Sequence, residues 1–213
     1  MLKLPSIIVN LSIFLYWAIM MQFIQNFQQH LFEWIALLLC IVALIYTAWA
    51  VKNEKVKYFK TAKKLPFGGF SLLIPGWWGK KEMKEGIAFH RTDTYYDWEA
   101  QYQLIPGVDS PQDIEKKLVS DLEKKEIIFD LHQTEIYPLQ TKTDPLGNKF
   151  FIVRIEGTAT QSQEKRVYCD SFIAMKENNQ DRMLLGHSLS SILNGGIEGP
   201  YFEQIIDNLE INP

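Results

Sequence analysis

The segment "GHSLS", residues 186–190, is the part of the sequence that comes closest to a catalytic motif. A nucleophile elbow, G-x-S-x-G, exposes a serine at a sharp turn between a strand and a helix, and the histidine of such a hydrolase follows that serine in the chain. Here Ser190 stands where the second glycine belongs, and no histidine follows His187. The side chains alternate as in a β-strand, so we predict no catalytic residue.

The sequence also lacks the residue spacings that are typical of metal sites and phosphate sites. His90, His132 and His187 fall in different predicted strands, and no H-x-x-x-H or C-x-x-C pattern joins them. Asp130 shares a strand face with His132, which allows a local hydrogen bond and no more. The chain has no P-loop and no G-x-G-x-x-G motif. We therefore expect no metal site and no cofactor.

The first 51 residues are apolar enough to enter a membrane. They hold two apolar runs, Ile7–Ile24 and Leu31–Val51, joined by the short uncharged segment "QNFQQH". Each run is about long enough to cross a hydrocarbon core of ~30 Å. We predict two transmembrane helices that form a hairpin over residues 1–51. A cleaved signal peptide is the less favoured alternative, because no small-x-small cleavage site follows the first run.

Lysine placement predicts the orientation of this hairpin. Residues 52–64 carry six lysines and one glutamate, whereas the hairpin loop carries no lysine or arginine. The positive-inside rule then places both termini in the cytoplasm, for a protein of the bacterial inner membrane. We predict a basic juxtamembrane linker over residues 52–65, in which Lys52–Lys64 attract anionic lipid headgroups. The remaining chain is acidic, which argues against nucleic acid as a partner.

Residues 66–213 alternate between strand and helix patterns. In "TYYDWEAQYQLIPG" the residues Tyr96, Trp98 and Tyr102 share one strand face. The segment "SPQDIEKKLVSDLEKK", residues 110–126, follows as an amphipathic helix with an apolar stripe. Its predicted N-terminus has Ser110 as N-cap, Pro111 in the first helical position and Asp113 in a capping box.

The rest of the domain is predicted as strands and one closing helix. "IIFDLHQTEIY" places Ile127, Phe129 and Leu131 on one face, and "DPLGN" is typical of a turn. "KFFIVRIEGTAT", "RVYCDSFIAMK" and "RMLLGHSLSSI" are further strands, and "PYFEQIIDNLEI" begins a helix at Pro200. We expect an α+β fold in which two helices pack on an antiparallel sheet. Cys40 lies in an apolar run and Cys169 in a strand, so no disulfide is expected.

Two tryptophans follow the first strand of this domain. "FSLLIPGWWGKK" predicts a strand over Phe70–Ile74 that ends at Pro75 and Gly76. Trp77 and Trp78 are expected to pack on the sheet or on the closing helix, because charged residues already separate them from lipid. An indole left exposed would be a partner contact.

This layout resembles the PsbP-like fold over about residues 66–212. The resemblance rests on "FSLLIPGW", on the helix at 110–126, on the pair "FFIVRIEGTAT" and "RVYCDSFIAMK", and on "YFEQIIDNLEI". The fold includes a photosystem extrinsic subunit, the Ran-binding protein Mog and bacterial DcrB-like proteins. It implies a binding module that assists assembly, contacts a partner or chaperones hydrophobic helices. No functional motif of the family is visible here, so no site residue is carried over.

We expect this chain to be an accessory or assembly subunit of a larger inner-membrane complex. It would contact the other subunits of that complex through its hairpin and its cytoplasmic domain. Its predicted contacts are Trp77, Trp78, Asp144 and Asn148 in the loop 143–148, and Asn194 and Glu198 in the glycine-rich loop 194–199. The second hypothesis is a carrier or chaperone with Tyr96, Trp98 and Tyr102 lining an apolar groove. That hypothesis requires the aromatic face to be free of the two helices. An enzyme is the third, least favoured interpretation.

Overall fold

The computed structural model describes residues 17, 20–22, 24–25, 30–92, 97–162, 165–178 and 181–212. The chain divides into two compact units, Met1–Lys57 and Tyr58–Pro213. Most of the first predicted span, Ile7–Ile24, and most of the loop after it lie outside the described residues. The described positions of that span are helical. Within the described ranges, one helix is long and apolar enough to cross a membrane, so the predicted pair of spanning helices is not established.

Helix α1 (Leu31–Thr61) extends well beyond the second predicted span. Its most apolar window of 18 residues has a mean hydropathy of 2.4, and none of that window is buried. The helix continues through the lysine-rich residues because this stretch contains no glycine or proline and is rich in residues that favour helix. The predicted linker 52–65 is therefore not a separate segment. Ten of its residues complete α1, and a strand begins at Lys63.

Ten strands and two further helices complete the described chain. The strands are β1 (Lys63–Phe67), β2 (Phe70–Ile74), β3 (Trp78–Met83), β4 (Gly86–Arg91), β5 (Trp98–Pro106), β6 (Ile127–Thr143), β7 (Lys149–Gln161), β8 (Lys165–Lys176), β9 (Arg182–Ser190) and β10 (Glu210–Ile211). The helices are α2 (Asp113–Lys124) and α3 (Ile192–Asp207).

The strands form two antiparallel sheets. The larger has the order β3-β4-β5-β9-β8-β7-β6, and the smaller has the order β1-β2-β10. Helix α2 covers one face of the larger sheet, where Ile114, Leu118 and Leu122 join a core with residues of β7, β8 and β9. Helix α3 and the small sheet cover the other face. The predicted α+β class with an antiparallel sheet and two packed helices is confirmed.

The start of α2 differs from the predicted capping box. Gln112 occupies the N-cap position and makes no side-chain cap hydrogen bond. The chain forms a tight turn first, in which the carbonyl of Ser110 accepts a 3.0 Å hydrogen bond from the amide of Asp113. Pro111 and Ser110 therefore lie before the helix. The apolar stripe that predicted the helix is correct in Ile114, Leu118 and Leu122, whereas Val119 is exposed.

Helix α3 begins eight residues before Pro200, so the predicted loop 194–199 is helical. Glycine there serves close packing. A Cβ on Gly195 would lie 2.5 Å from Cγ of Tyr168 on β8, a distance that real side chains do not adopt. Helix and sheet approach each other because this position lacks a side chain. Pro200 lies inside the helix, whereas the sequence pattern predicted it at the start of the helix.

Strand β6 contains a bulge that changes which side chains face the core. Its pairing with β7 shifts between Phe129 and Thr134. Ile127 is buried as predicted, but Leu131 is 91% exposed, so the predicted apolar face ends before it. Gly157 on β7 lies opposite the bulge with φ of +152°, and a Cβ there would lie 2.2 Å from the carbonyl oxygen of Gln133. The bulge thus requires glycine at this position.

We predict that Gly157→Ala destabilises the domain by about 1–3 kcal/mol, because the new methyl group meets backbone atoms and the backbone angle is unfavourable. Gly196→Ala is the matched control, since nothing lies within 4 Å of its position on α3. That variant should be neutral or more stable by up to about 1 kcal/mol. Thermal unfolding of the detergent-solubilised chain measures both. Equal melting temperatures for the two variants would contradict the role given to Gly157.

Candidate functional site

The two tryptophans pack inside the domain, as predicted. Trp78 is 7% exposed, and its ring centroid lies 4.2 Å from that of Trp98. Trp77 is half-buried and meets the ring of Tyr201 edge-on at 5.0 Å. Trp78 is therefore too buried to contact a partner, and only part of the Trp77 ring is accessible to one. Both residues belong to the surface on which α3 rests.

Glu198 anchors α3 to the edge of the larger sheet. Its side chain is fully buried, its Oε2 accepts a 2.9 Å hydrogen bond from Nε1 of Trp78, and its Oε1 pairs with Nη1 of Arg91. A buried carboxylate needs such partners to offset its desolvation. The predicted partner contact at Glu198 is therefore incorrect, because solvent does not reach it. Asn194 is half-buried, and its amide donates to the carbonyl of Ser191 at 3.1 Å.

Asp144 fastens the predicted turn 144–148 to the C-terminal strand. Its carboxylate accepts bonds from the amides of Leu146 at 2.9 Å, Asn148 at 2.8 Å and Ile211 at 2.9 Å. Burial acts to raise the pKa of this carboxyl, but the hydrogen bonds from Asn148, Ile211 and Leu146 outweigh it and lower the pKa. Asp144 itself is buried, so it is not a partner contact. Asn148 remains exposed.

The aromatic face predicted as a groove is covered. Trp98 is 3% exposed and Tyr102 is fully buried. Phe202 on α3 stacks on Tyr102 with a centroid distance of 5.9 Å. Tyr96 lies outside the described residues. Helix α3 thus covers the surface that an apolar ligand would occupy. The carrier hypothesis required this face to be free of the helices, and it is not free.

The last turn of α1 belongs to the folded unit of residues 58–213. Tyr58 is 1% exposed, and its hydroxyl donates a 3.0 Å hydrogen bond to the carbonyl of Leu73 on β2. Its ring lies 5.7 Å from Tyr201 and 6.3 Å from Trp77, measured between centroids. Sequence reasoning missed this contact. The available signal was an aromatic pair, Tyr58 and Phe59, within a run of lysines.

A serine, a cysteine and a histidine meet beneath α2. Oγ of Ser171 lies 2.5 Å from Nδ1 of His187, and Sγ of Cys169 lies 3.5 Å from that Oγ. All three side chains are at most 3% exposed. Burial lowers the pKa of His187 to about 3 and raises the pKa of Cys169 to about 12. The thiol is thus protonated at neutral pH, and the trio lies out of reach of substrate. It is part of the core.

Arg154 on β7 links α3 to Asp170 on β8. Its Nε and Nη2 donate to the two carboxylate oxygens of Asp170 at 2.9 and 2.8 Å. Nη1 reaches Glu203 on α3 at 3.4 Å, and the guanidinium lies 4.9 Å from the centroid of the Tyr137 ring. A cleft of about 270 Å³ borders these groups. The guanidinium already has carboxylate partners, so the arrangement is a structural cross-link.

Among the surfaces of the domain that expose large apolar side chains, two stand out. One is the β6 bulge, residues 130–133, where Leu131 is 91% exposed. Hydrogen bonds fix the bulge: the amide of His132 donates to Asp130 at 3.2 Å, and Thr158 donates to Gln133 at 2.7 Å. The other is the first two turns of α3, which expose Ile192, Leu193 and Ile197. The bulge was not among the predicted contacts, although the broken alternation of "FDLHQTE" marks it. The start of α3 overlaps the predicted contact loop 194–199, but its exposed apolar residues were not the ones named.

Metal ligation has no candidate in the part of the chain that the structure describes. No group of three or more histidine, cysteine, aspartate or glutamate side chains is placed there to hold an ion. The cysteines Cys40 and Cys169 are both free.

Comparisons with known proteins give likenesses of architecture only. No protein-family model matches the chain, and no curated protein matches it. Cyanobacterial PsbP from Synechocystis sp. PCC 6803 is similar with a TM-score of 0.45 and 9% identity, over 71% of this chain and 93% of that one. The Ran-binding protein Mog1p of Saccharomyces cerevisiae has a TM-score of 0.43 and 11% identity, over 70% and 95%. A Bacteroides thetaiotaomicron protein has a TM-score of 0.40 and 13% identity, over 72% and 49%. No statement about function rests on these values.

We predict that Glu198→Gln costs about 3 kcal/mol of stability, because it leaves the Arg91 guanidinium without its buried carboxylate. For a chain of this size that is a fall in melting temperature of roughly 6–12 °C. Glu82→Gln is the control, since Glu82 forms an exposed pair with Lys80. It should change stability by less than about 1 kcal/mol. A Glu198→Gln protein that melts like the wild type would contradict a structural role for this carboxylate.

We predict that His187 makes the fold sensitive to acid. The unfolded chain binds a proton on this histidine near pH 6.5, whereas the folded chain does not bind it until about pH 3. Stability should therefore fall as pH decreases between these values, by up to about 1.4 kcal/mol per pH unit from this group alone. His187→Gln removes the titration while keeping a polar group near Ser171. Melting curves at several pH values should show a shallower loss for the variant, and parallel curves would refute the assignment.

Proposed function

We propose that this chain is a membrane-anchored binding module that serves as an accessory or assembly subunit of a larger complex in the bacterial inner membrane. The observation that carries the proposal is the contrast between the two parts of α1. The side chains of its apolar window are exposed on every side, whereas Tyr58 in its last turn is buried in the domain. A helix that is apolar all round requires an apolar environment.

The exposed side chains of α1 indicate what that environment must supply. Leu39, Leu44 and Trp49 are each at least 60% exposed, and they point to different sides of the helix. Lipid chains satisfy such a surface, and so does a neighbouring apolar helix. The lysines at the C-terminal end of α1 favour the cytoplasm for the domain. We further propose that the predicted first span crosses the membrane in the opposite direction and returns the N-terminus to the cytoplasm.

The β6 bulge is the proposed protein contact of the domain. Leu131 is an exposed apolar side chain on a segment fixed by hydrogen bonds, so little conformational entropy is lost when a partner covers it. Strand β6 is also an edge of the larger sheet, which leaves backbone groups free to pair with a partner strand. Binding is favoured over catalysis because the trio of Ser171, Cys169 and His187 is sealed in the core.

Purification from gently solubilised membranes tests this proposal. The wild-type chain should co-purify with a membrane complex in fixed stoichiometry. Leu131→Asp should lose that complex, because it places a charge in the proposed contact, while the protein still resides in the membrane. Leu146→Asp is the matched control, since Leu146 is 69% exposed in the turn 144–148. It should retain the complex.

Two results would contradict the proposal. Isolation of the chain alone across several mild detergents would argue against a complex. Equal retention of the complex by the Leu131→Asp and Leu146→Asp proteins would remove the bulge as the contact.

A further inference from the structure

The end of the domain where α1 terminates also carries the start of α3. At this end β1 pairs Lys63 with Ile74, and Thr61 lies against Gly76 so closely that a Cβ on the glycine would be 2.6 Å from the Thr61 carbonyl oxygen. We call it the junction end. Trp78, two residues after Gly76, begins β3 and pairs with Arg91 at the end of β4.

The strand pairing in the larger sheet shows that the start of α3 also lies at the junction end. The hydroxyl of Thr92, just after β4, donates to the carbonyl of Trp77 at 2.8 Å. Across the sheet, Trp98 at the start of β5 pairs with Ser190 at the end of β9. Helix α3 starts two residues later, at Ile192. Helix α3 therefore starts at this end of the sheet, and Tyr201, nine residues along it, contacts Tyr58 in the last turn of α1.

An apolar patch lies on these first turns. Ile192, Leu193 and Ile197 are 41%, 85% and 40% exposed, and we call them the α3 patch. Leu193 and Ile197 are four residues apart, and Ile197 is four residues before Tyr201. Residues at this spacing lie on one side of a helix. Leu193 and Ile197 of the patch thus continue the helix side that reaches Tyr58, and Ile192 flanks them.

The covalent chain limits how far this patch can lie from a membrane that holds α1. Tyr58 is seven residues beyond Val51, the last residue of the apolar run. In a helix that interval is about 10 Å, and even a fully extended chain would span only about 25 Å. Exposed Lys60 and Lys63 at the same end match the negative charge of anionic headgroups. Large aliphatic side chains beside lysines are typical of surfaces that enter the lipid–water interface.

We infer that the α3 patch inserts into the interfacial layer of the membrane that holds α1, so that the junction end of the domain rests on the lipid. This inference rests on the proposed membrane anchoring, and it adds a second point of contact to it. With α1 alone the domain still tilts when α1 tilts in the bilayer. Insertion of the patch limits that tilt and fixes the direction in which the β6 bulge faces.

A fluorescent label quenched by lipid tests the inference in the full chain. Three proteins with one accessible cysteine each, Leu193→Cys, Leu131→Cys and Leu44→Cys, all with Cys40→Ala, are labelled with the fluorophore NBD. Cys169 is fully buried and does not react in the folded protein. The proteins are reconstituted into vesicles of phosphatidylethanolamine and phosphatidylglycerol, with or without bromine on the acyl chains. Near-ultraviolet circular dichroism confirms that each labelled protein is folded.

The inference predicts that labels at positions 44 and 193 lose most of their emission with brominated lipid, and that the label at 131 does not. Leu131 is as exposed as Leu193, so it controls for exposure alone. Quenching at 44 without quenching at 193 would overturn the inference and leave the anchoring intact. Absence of quenching at 44 would overturn both. Equal quenching at 193 and 131 would show unspecific adsorption of the domain and would also overturn the inference.

Discussion

The packing of Tyr58 is the contact on which the account of this protein depends. One residue near the end of an apolar helix is buried by Trp77 and Tyr201 and donates a hydrogen bond to the backbone of β2. Buried aromatic rings of this size contribute several kcal/mol to a core. The final turn of α1 is therefore held as firmly as the strands beside it. The same contact brings the last turn of α1, α3 and the small sheet together at the junction end.

Two charged pairs, of which only that of Glu198 is buried, determine how α3 sits on the larger sheet. Glu198 pairs with Arg91 near the start of the helix, and Glu203 reaches Arg154 further along it. A buried charged pair adds little net stability compared with apolar packing, but a shifted helix would leave the fully buried Glu198 without its partner. Glu203 is exposed, so its contact with Arg154 contributes less. The two pairs therefore favour one position of α3 over its alternatives. Because the α3 patch and the cover over Tyr102 both depend on that position, these pairs fix the exposed and the hidden surfaces together.

Sequence periodicity predicted the strands with one buried face. Prediction from residue type failed where glycines, lysines and carboxylates have structural roles that are unusual for them. The end of the strand Phe70–Ile74 follows from Pro75 and Gly76, and the burial of Trp98 and Tyr102 follows from simple alternation. The glycines of residues 194–199 suggested a loop, but Gly195 is needed for contact with Tyr168. Lysines after Val51 suggested a linker, although α1 and β1 use them on exposed faces. Partner contacts were assigned to polar residues, yet Glu198 and Asp144 are buried because carboxylates organise the backbone and side chains around them.

Hydrogen exchange of the full chain in nanodiscs, followed by mass spectrometry, tests the junction most directly. The amide of Ala62 donates to the carbonyl of Tyr58 at 2.8 Å, and β2 pairs with both neighbours in the small sheet. If Tyr58 holds the end of α1 in the domain, peptides covering residues 58–62 and 70–74 should be protected to the same degree, since both then open only with the domain. Rapid exchange over 58–62 beside slow exchange over 70–74 would show a loose tether and contradict the account.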